Sequence, residues 1–271
     1  MMRYTTVAVL MLAVLSAQTV SADAALEKAA TGAHRSDTNI QRNASRHPVE
    51  TLTFFGLKAD MTVVEIWPGG GGWYTEVLAP YLRQSGTFYT ANYDGSTGVE
   101  YFARNDKKLR EKLAAAPEIY DRIKVTNLMP PATAPDIADG SVDLVVTFRN
   151  LHNWVRDGRA EAMFAAIAQM LKPGGTLGLV AHRGDDDMLG VESARTGYLA
   201  ESEALRLAAA AGLEFVEKSE INANPNDGHV HPEGVWTLPP VLRMGEVDRD
   251  KYLAIGESDR MTMKFRKPVA D

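Results

Sequence analysis

The chain has 271 residues, enough for one large α/β domain or two small ones around a sizeable core. A net charge of −6 with no basic run argues against a nucleic-acid surface, so a small molecule or a protein is the expected partner. There is no cysteine, which excludes disulfides, thiolate metal sites and a cysteine nucleophile.

At the N-terminus Arg3 precedes the apolar run 7–15, and Val20-Ser21-Ala22 follows with small residues at the positions a signal peptidase reads. This is the plan of a secretory signal over 1–22, cleaved near Ala22, and it predicts a periplasmic or secreted protein. An uncleaved membrane anchor is the alternative, although the run is shorter than the ~20 residues of a span. No other stretch is long and apolar enough, so no stable membrane span is expected after cleavage.

Residues 23–60 read as an N-terminal helical segment. The part up to about 47 is polar and Ala-rich, a short helix or two on the core, or a loose arm. Pro48 suits the first turn of a helix that Gly56 ends. From Met61 to the C-terminus strands and helices alternate. Residues 61–66 form a short β-branched strand, 73–84 a helix, 86–91 a strand, 99–115 a charged amphipathic helix stopped by Pro117, and 123–126 a strand. A proline loop at 130–135 follows, then an apolar strand at 142–148, a helix at 159–171, a strand at 176–181, a helix at 201–211 and a strand at 213–221. The last strand is expected at 261–266. Alternation of this kind predicts a doubly wound, mostly parallel α/β sheet over 61–271.

The first strand ends at Glu65 and runs into Ile66-Trp67-Pro68-Gly69-Gly70-Gly71-Gly72 before a helix. Glycines let backbone approach a ligand, and a helix N-terminus offers free N–H groups. No Gly-Lys-Ser/Thr follows, so this is not a P-loop. The chain here resembles class I S-adenosylmethionine-dependent methyltransferases. Glu65, Gly69 and Gly71 match their first motif, Asp143 their fourth strand, and Leu171-Lys172-Pro173-Gly174-Gly175 the turn into their fifth. With Trp67-Pro68 and His231-Pro232-Glu233-Gly234-Val235-Trp236, the wider chain resembles an uncharacterised bacterial branch of predicted methyltransferases.

The resemblance implies a Rossmann-like sheet with an antiparallel last strand, and S-adenosylmethionine as cofactor. It implies cofactor contacts from Glu65, Trp67, Gly69, Gly70 and Gly71. Asn92 or Asp94 takes the place of the ribose-binding acid, Asn127 falls near the adenine amine, and Arg149 joins the cofactor side. Trp67 replaces the usual first glycine, and its ring either stacks on the ligand or packs into the core. Ligands of such sheets bind beyond the carboxyl ends of the strands. His152 and His182 are therefore the acid–base candidates, and Asn153 and Arg183 face the acceptor. The long link 223–260 is placed by topology over the same edge and reads as a lid that brings His229, His231 and Trp236 to the substrate. His229-x-His231 lacks a third ligand, so no metal is assigned. The function implied is methyl transfer to a small molecule or protein side chain. The alternative is an exported, inactive methyltransferase-fold protein that binds a nucleoside-like or other small ligand. A nicotinamide-dependent oxidoreductase is the weaker third reading, since no Gly-x-Gly-x-x-Gly is present.

Overall fold

The computed structural model describes residues 23–130 and 137–269. The signal over 1–22 and most of the proline loop lie outside the described residues.

The N-terminal segment is helical throughout. It comprises α1 (Ala24–Thr31), α2 (Asp37–Gln41), α3 (Asn43–Arg46) and α4 (Pro48–Phe54). Asp23 and Ser36 cap α1 and α2 by accepting from backbone N–H groups of the first turn, and Pro48 opens α4. Leu26, Leu52 and Phe55 pack with Val77, Leu78 and Leu82 on one face of the sheet. These helices are thus a wall of the core.

The sheet begins with β1 (Thr62–Ile66), followed by α5 (Thr75–Leu82), β2 (Thr87–Asn92), α6 (Glu100–Ala115), α7 (Pro117–Tyr120) and β3 (Lys124–Asn127). It continues through β4 (Val142–Phe148), α8 (Leu151–Arg156), α9 (Ala160–Met170) and β5 (Leu171–His182). It closes with α10 (Gly190–Thr196), α11 (Glu201–Ala210), β6 (Glu214–Ser219), α12 (Arg249–Ile255) and β7 (Arg260–Arg266). Strand order is β3-β2-β1-β4-β5-β7-β6, with β7 antiparallel to both neighbours and the other pairs parallel. This is the Rossmann-like methyltransferase sheet, and the order reverses between β1 and β4.

Several expected boundaries move for local reasons. Pro117 ends α6 and also opens the one-turn α7, because its missing N–H is harmless in a first turn. The chain from Gly69 to Tyr74 forms turns, so α5 starts two residues later than the periodicity suggested. β5 starts at Leu171, where Leu171 pairs with Val142 across a register shift, so the Lys-Pro-Gly-Gly turn lies inside the strand's bounds. Asp143 ties the sheet at this level. Its carboxylate accepts from Thr62 N at 2.8 Å and pairs with Lys172.

The link 223–260 is built, not loose. It carries a 3-10 turn at Gly234–Thr237 and then α12. Two glycines let it seat on α10. A Cβ on Gly234 would stand 2.1 Å from the Thr196 carbonyl oxygen, and one on Gly197 would stand 2.4 Å from Val235 Cγ2. Both have positive φ, so substitution there meets strain as well as collision.

Candidate active site

The carboxyl ends of β1, β4 and β5 open onto a cavity of about 210 Å³. Its walls come from the glycine turn (Trp67, Pro68, Gly69), the end of β2 and α6 (Tyr93, Tyr101) and the end of β4 with α8 (Phe148, Arg149, Asn150, His152, Asn153). His182 of β5 and Trp236 of the 223–260 link complete it. A second cavity of about 240 Å³, between Val155, Glu161 and Arg206, lies away from this edge.

Asn150 locks the site's frame. Its amide donates to the carbonyls of Ile66 (3.0 Å) and Trp67 (3.3 Å) and to Thr147 Oγ1 (3.1 Å). One side chain therefore fixes the glycine turn to the end of β4. Sequence reasoning assigned Asn150 no role, although its place directly after β4 was the available signal.

His152 and His182 face each other with ring centroids 5.5 Å apart, and Trp236 lies edge-on to His152 at 5.8 Å. His182 Nδ1 is 2.6 Å from Ser258 Oγ, and His152 Nδ1 is buried without a partner. Burial, with Arg156 and Arg149 nearby, pushes His152 down to about 3. Burial, His152 and the arginines Arg260, Arg149 and Arg46 hold His182 well below the usual imidazole range. Both rings are neutral at neutral pH. They offer hydrogen bonds rather than acid catalysis, and a conjugate acid at about 3 gives little drive to a general base. The expected acid–base pair is thus better described as a hydrogen-bonding pair.

The expected nucleoside contacts are largely engaged by protein. Asn92 is fully buried and its amide donates to Asp106 at 2.8 Å. Asp94 caps the turn 95–97 through Ser96. Asn127 Oδ1 accepts from Arg110 at 3.3 Å. Trp67 is buried at φ +48°, its ring 4.7 Å from Tyr93, 5.9 Å from Phe102 and 6.0 Å from Trp154. Its indole N–H donates to the Leu128 carbonyl at 2.9 Å. Of the two expectations for this ring, core packing is what the geometry shows, although the residue also lines the cavity.

The glycine turn divides. Gly70 N donates to Asn105 Oδ1, and a Cβ there would press on Lys108 at 3.0 Å. Gly71 O accepts from Lys112 Nζ at 2.6 Å. Yet a Cβ at Gly69 or Gly71 would meet nothing within 4 Å, so the turn keeps one open backbone face beside the cavity. Glu65 is sealed beneath it, accepting from Thr75 Oγ1 at 2.6 Å. Burial pushes Glu65 up to about 7, against the pull of Thr75, Lys112 and Arg149. The open turn and the aromatic walls fit the methionine and sulfonium portion of S-adenosylmethionine, since aromatic faces favour cations.

Of the expected acceptor contacts, Asn153 and Trp236 line the cavity, whereas Arg183, His229 and His231 do not. Those three are held in a polar network that fastens the 223–260 link. Arg183 grips Asp259 with both arms (2.8 and 2.9 Å). His229 bridges Asp185 and Asp259 at 2.9 and 3.2 Å, and His231 bonds Asp227 at 2.8 Å. Tyr198, two residues past the end of α10, donates to Asp227. Burial lowers His229, but its bonds to the two aspartates outweigh that and hold it above the ordinary imidazole value. These side chains position the Trp236 segment and do not touch the cavity.

Residues 69–179 match the family model described as a methyltransferase domain. No curated protein matches the chain. Among solved structures, it is similar to a SAM-dependent methyltransferase from Aquifex aeolicus, with 15% identity, TM-score 0.55, and coverage of 84% of this chain and 93% of that one. A SAM-dependent methyltransferase from Methanosarcina mazei aligns at 12% identity and TM-score 0.52, covering 81% and 97%. The cyclase SpnF aligns at 16% identity and TM-score 0.58, covering 88% and 85%. At these identities the structures speak for the fold alone. The family model covers the stretch from the glycine turn to β5, and over that stretch the chain is similar to a methyltransferase domain.

Proposed function

We propose that the cavity at the β1–β4–β5 edge is where this methyltransferase brings a small acceptor against its cofactor, beneath the Trp236 segment. The observation that supports this most is the set of walls gathered at this edge. The open glycine turn lies on one side, the His152–His182 pair and Asn153 on another, and the lid's Trp236 across the mouth. A space of about 210 Å³ is of a size for a small molecule.

When bound, the cofactor supplies a sulfonium methyl group: an acceptor lone pair forms the new bond to carbon while the carbon–sulfur pair stays on sulfur, leaving S-adenosylhomocysteine. The chain's own residues do the rest. Gly69 and Gly71 present backbone, Asn150 holds that backbone in register with β4, and Trp67, Tyr93 and Phe148 give aromatic faces. The neutral imidazoles orient the acceptor by hydrogen bonds, and Trp236 excludes water. Positioning of this kind is the larger part of a methyl transfer. The Trp67 ring fills the space between the turn and Leu128, so a nucleoside there would need the ring to give way.

Titration of the full chain with S-adenosylhomocysteine, followed by turnover on an acceptor panel, tests this reading. Binding and methylation are expected. Absence of binding would sink it, and binding without turnover on any acceptor would favour the inactive, ligand-binding alternative. We also propose that the protein is exported, supported by the charged, apolar and small-residue order of 1–22. A wholly cytoplasmic, uncleaved product on cell fractionation would refute that.

A further inference from the structure

Four arginines lie at or near the cavity, three of them around one charged carboxylate, Glu257, which lines a neighbouring cavity and not this one. Arg42 Nε lies 2.7 Å from Glu257 Oε1, Arg46 Nε lies 3.3 Å from Oε2, and Arg260 pairs with the same Oε2. Arg46 and Arg260 are 2% and 3% exposed, so this charge is withdrawn from water. Three donors of the cluster have no acceptor: Arg42 Nη2, Arg46 Nη1 and Arg260 Nε. The fourth arginine, Arg149, lines the cavity itself and makes no side-chain hydrogen bond or ion pair among the described residues.

The cluster and the cavity are joined by short links. Arg260 is the register partner of His182 across β5 and β7. The Arg46 carbonyl accepts from Tyr74 Oη at 3.1 Å, and the Tyr74 ring stacks at 3.4 Å on Phe148, the residue before Arg149. Two carboxylates face Arg149. Glu257 is shared by three other guanidiniums, and Glu65 is only partly ionised near neutral pH. Burial lowers Arg149 to about 10, and Arg260 repels it further. An uncompensated charge withdrawn from water is costly, so Arg149, which lines the cavity with no paired carboxylate of its own while Glu257 is held by its three neighbours, leaves the cavity short of an anion.

We propose that the acceptor is a small organic carboxylate whose anionic end sits on Arg149, with its body between His152, His182 and Trp236. This rests on the methyltransferase reading above only for the word acceptor; the anion site stands on the arginines. Neutral imidazoles suit such a ligand, since they add donors without a competing charge. The aromatic walls accommodate a flat body, and the space holds a ligand of roughly benzoate size.

The source of the carboxylate has to be separated from the cofactor's own. Calorimetry on the full chain is the test, with benzoate against benzamide and acetate against acetamide, each with and without saturating S-adenosylhomocysteine. The wild type, Arg149→Gln and Arg149→Lys are compared. The carboxylate of each pair is expected to bind about tenfold or more tighter than its amide, as one charge-assisted hydrogen-bond pair supplies. The preference should collapse to near one in Arg149→Gln and be largely kept in Arg149→Lys, which also shows that the fold survives. Equal affinity within both pairs, no binding by either member, or a preference that survives Arg149→Gln overturns the proposal. In a parallel arm, 5′-methylthioadenosine lacks the cofactor's carboxylate. If Arg149→Gln weakens S-adenosylhomocysteine about tenfold, leaves methylthioadenosine unchanged and keeps the carboxylate preference, Arg149 serves the cofactor and the proposal fails. If S-adenosylhomocysteine does not bind the wild type while the carboxylate preference holds, the methyltransferase reading fails and the anion site remains.

Discussion

Glu257→Gln removes the one carboxylate shared by Arg42, Arg46 and Arg260 and leaves their buried charge unanswered. Burial raises the Glu257 carboxyl, but the three guanidiniums overcome it and hold the group at about 2. Against the ordinary 4.5, and at about 1.4 kcal/mol per pH unit, that is worth roughly 3 kcal/mol to folding at neutral pH. Removal of one partner from a buried ionic cluster independently gives about 3–5 kcal/mol. The sign follows from the lowered carboxyl. The stabilisation is fully present above 4.5, because the unfolded chain takes up the proton first, and it is lost as pH falls toward 2. Urea denaturation of both proteins at pH 7, 5 and 3 checks this. The variant should be about 3–5 kcal/mol less stable at pH 7, and the gap should narrow by roughly 2 kcal/mol between pH 5 and pH 3. A gap below about 1 kcal/mol at pH 7, or one indifferent to pH, would refute the arginine-clamp argument.

Glu65 carries the opposite sign. Its carboxyl is raised to about 7 by burial, so its contribution is present below 4.5 and is lost as pH rises through 7. Glu65→Gln keeps an acceptor for Thr75 and should gain roughly 2 kcal/mol on the wild type between pH 5 and pH 8; parallel stability curves would show that Glu65 is not desolvated as described. At Trp67, loss of the caged indole should cost about 3–5 kcal/mol in either small variant. The backbone there has φ +48°, so Trp67→Gly should be the milder change by roughly 0.5–1 kcal/mol, reversing the usual order of alanine over glycine. Scanning calorimetry decides, and an alanine variant melting at or above the glycine variant contradicts the strain argument. Trp67→Gly should also bind S-adenosylhomocysteine more tightly than the wild type, because it clears the space beside Leu128; unchanged or weaker binding would show that the ring does not obstruct the nucleoside.

What could be read along the chain was what backbone and periodicity encode. The strand, glycine turn and helix at 62–82 were legible as a local pattern, whereas the antiparallel return of β7 came from the family resemblance and the hold of Asp143 on Thr62 was not foreseen. The short helices α8, α10 and α12 were not, since six or seven residues carry too little periodicity to stand out from a loop. The contents of the site were harder still, for a different reason. Arg42 and Glu257 are 215 residues apart, and nothing in either neighbourhood announces the other. Asn92 stands where a ribose contact was expected, but its partner Asp106 lies a helix turn and a half into α6 and takes the amide first. His229 and His231 looked like acceptor contacts because topology put them above the edge; their aspartate partners, two of them distant in sequence, tie them into the 223–260 link. A fingerprint of glycines reports that backbone is free to approach a ligand, and it is blind to what the neighbouring side chains have already filled. At this edge the two departures reinforce one another. Trp67 narrows the nucleoside side of the turn, while Arg149 and the arginines behind it leave the acceptor side short of negative charge. Selectivity in this chain therefore resides less in the glycine turn than in the two side chains that flank it.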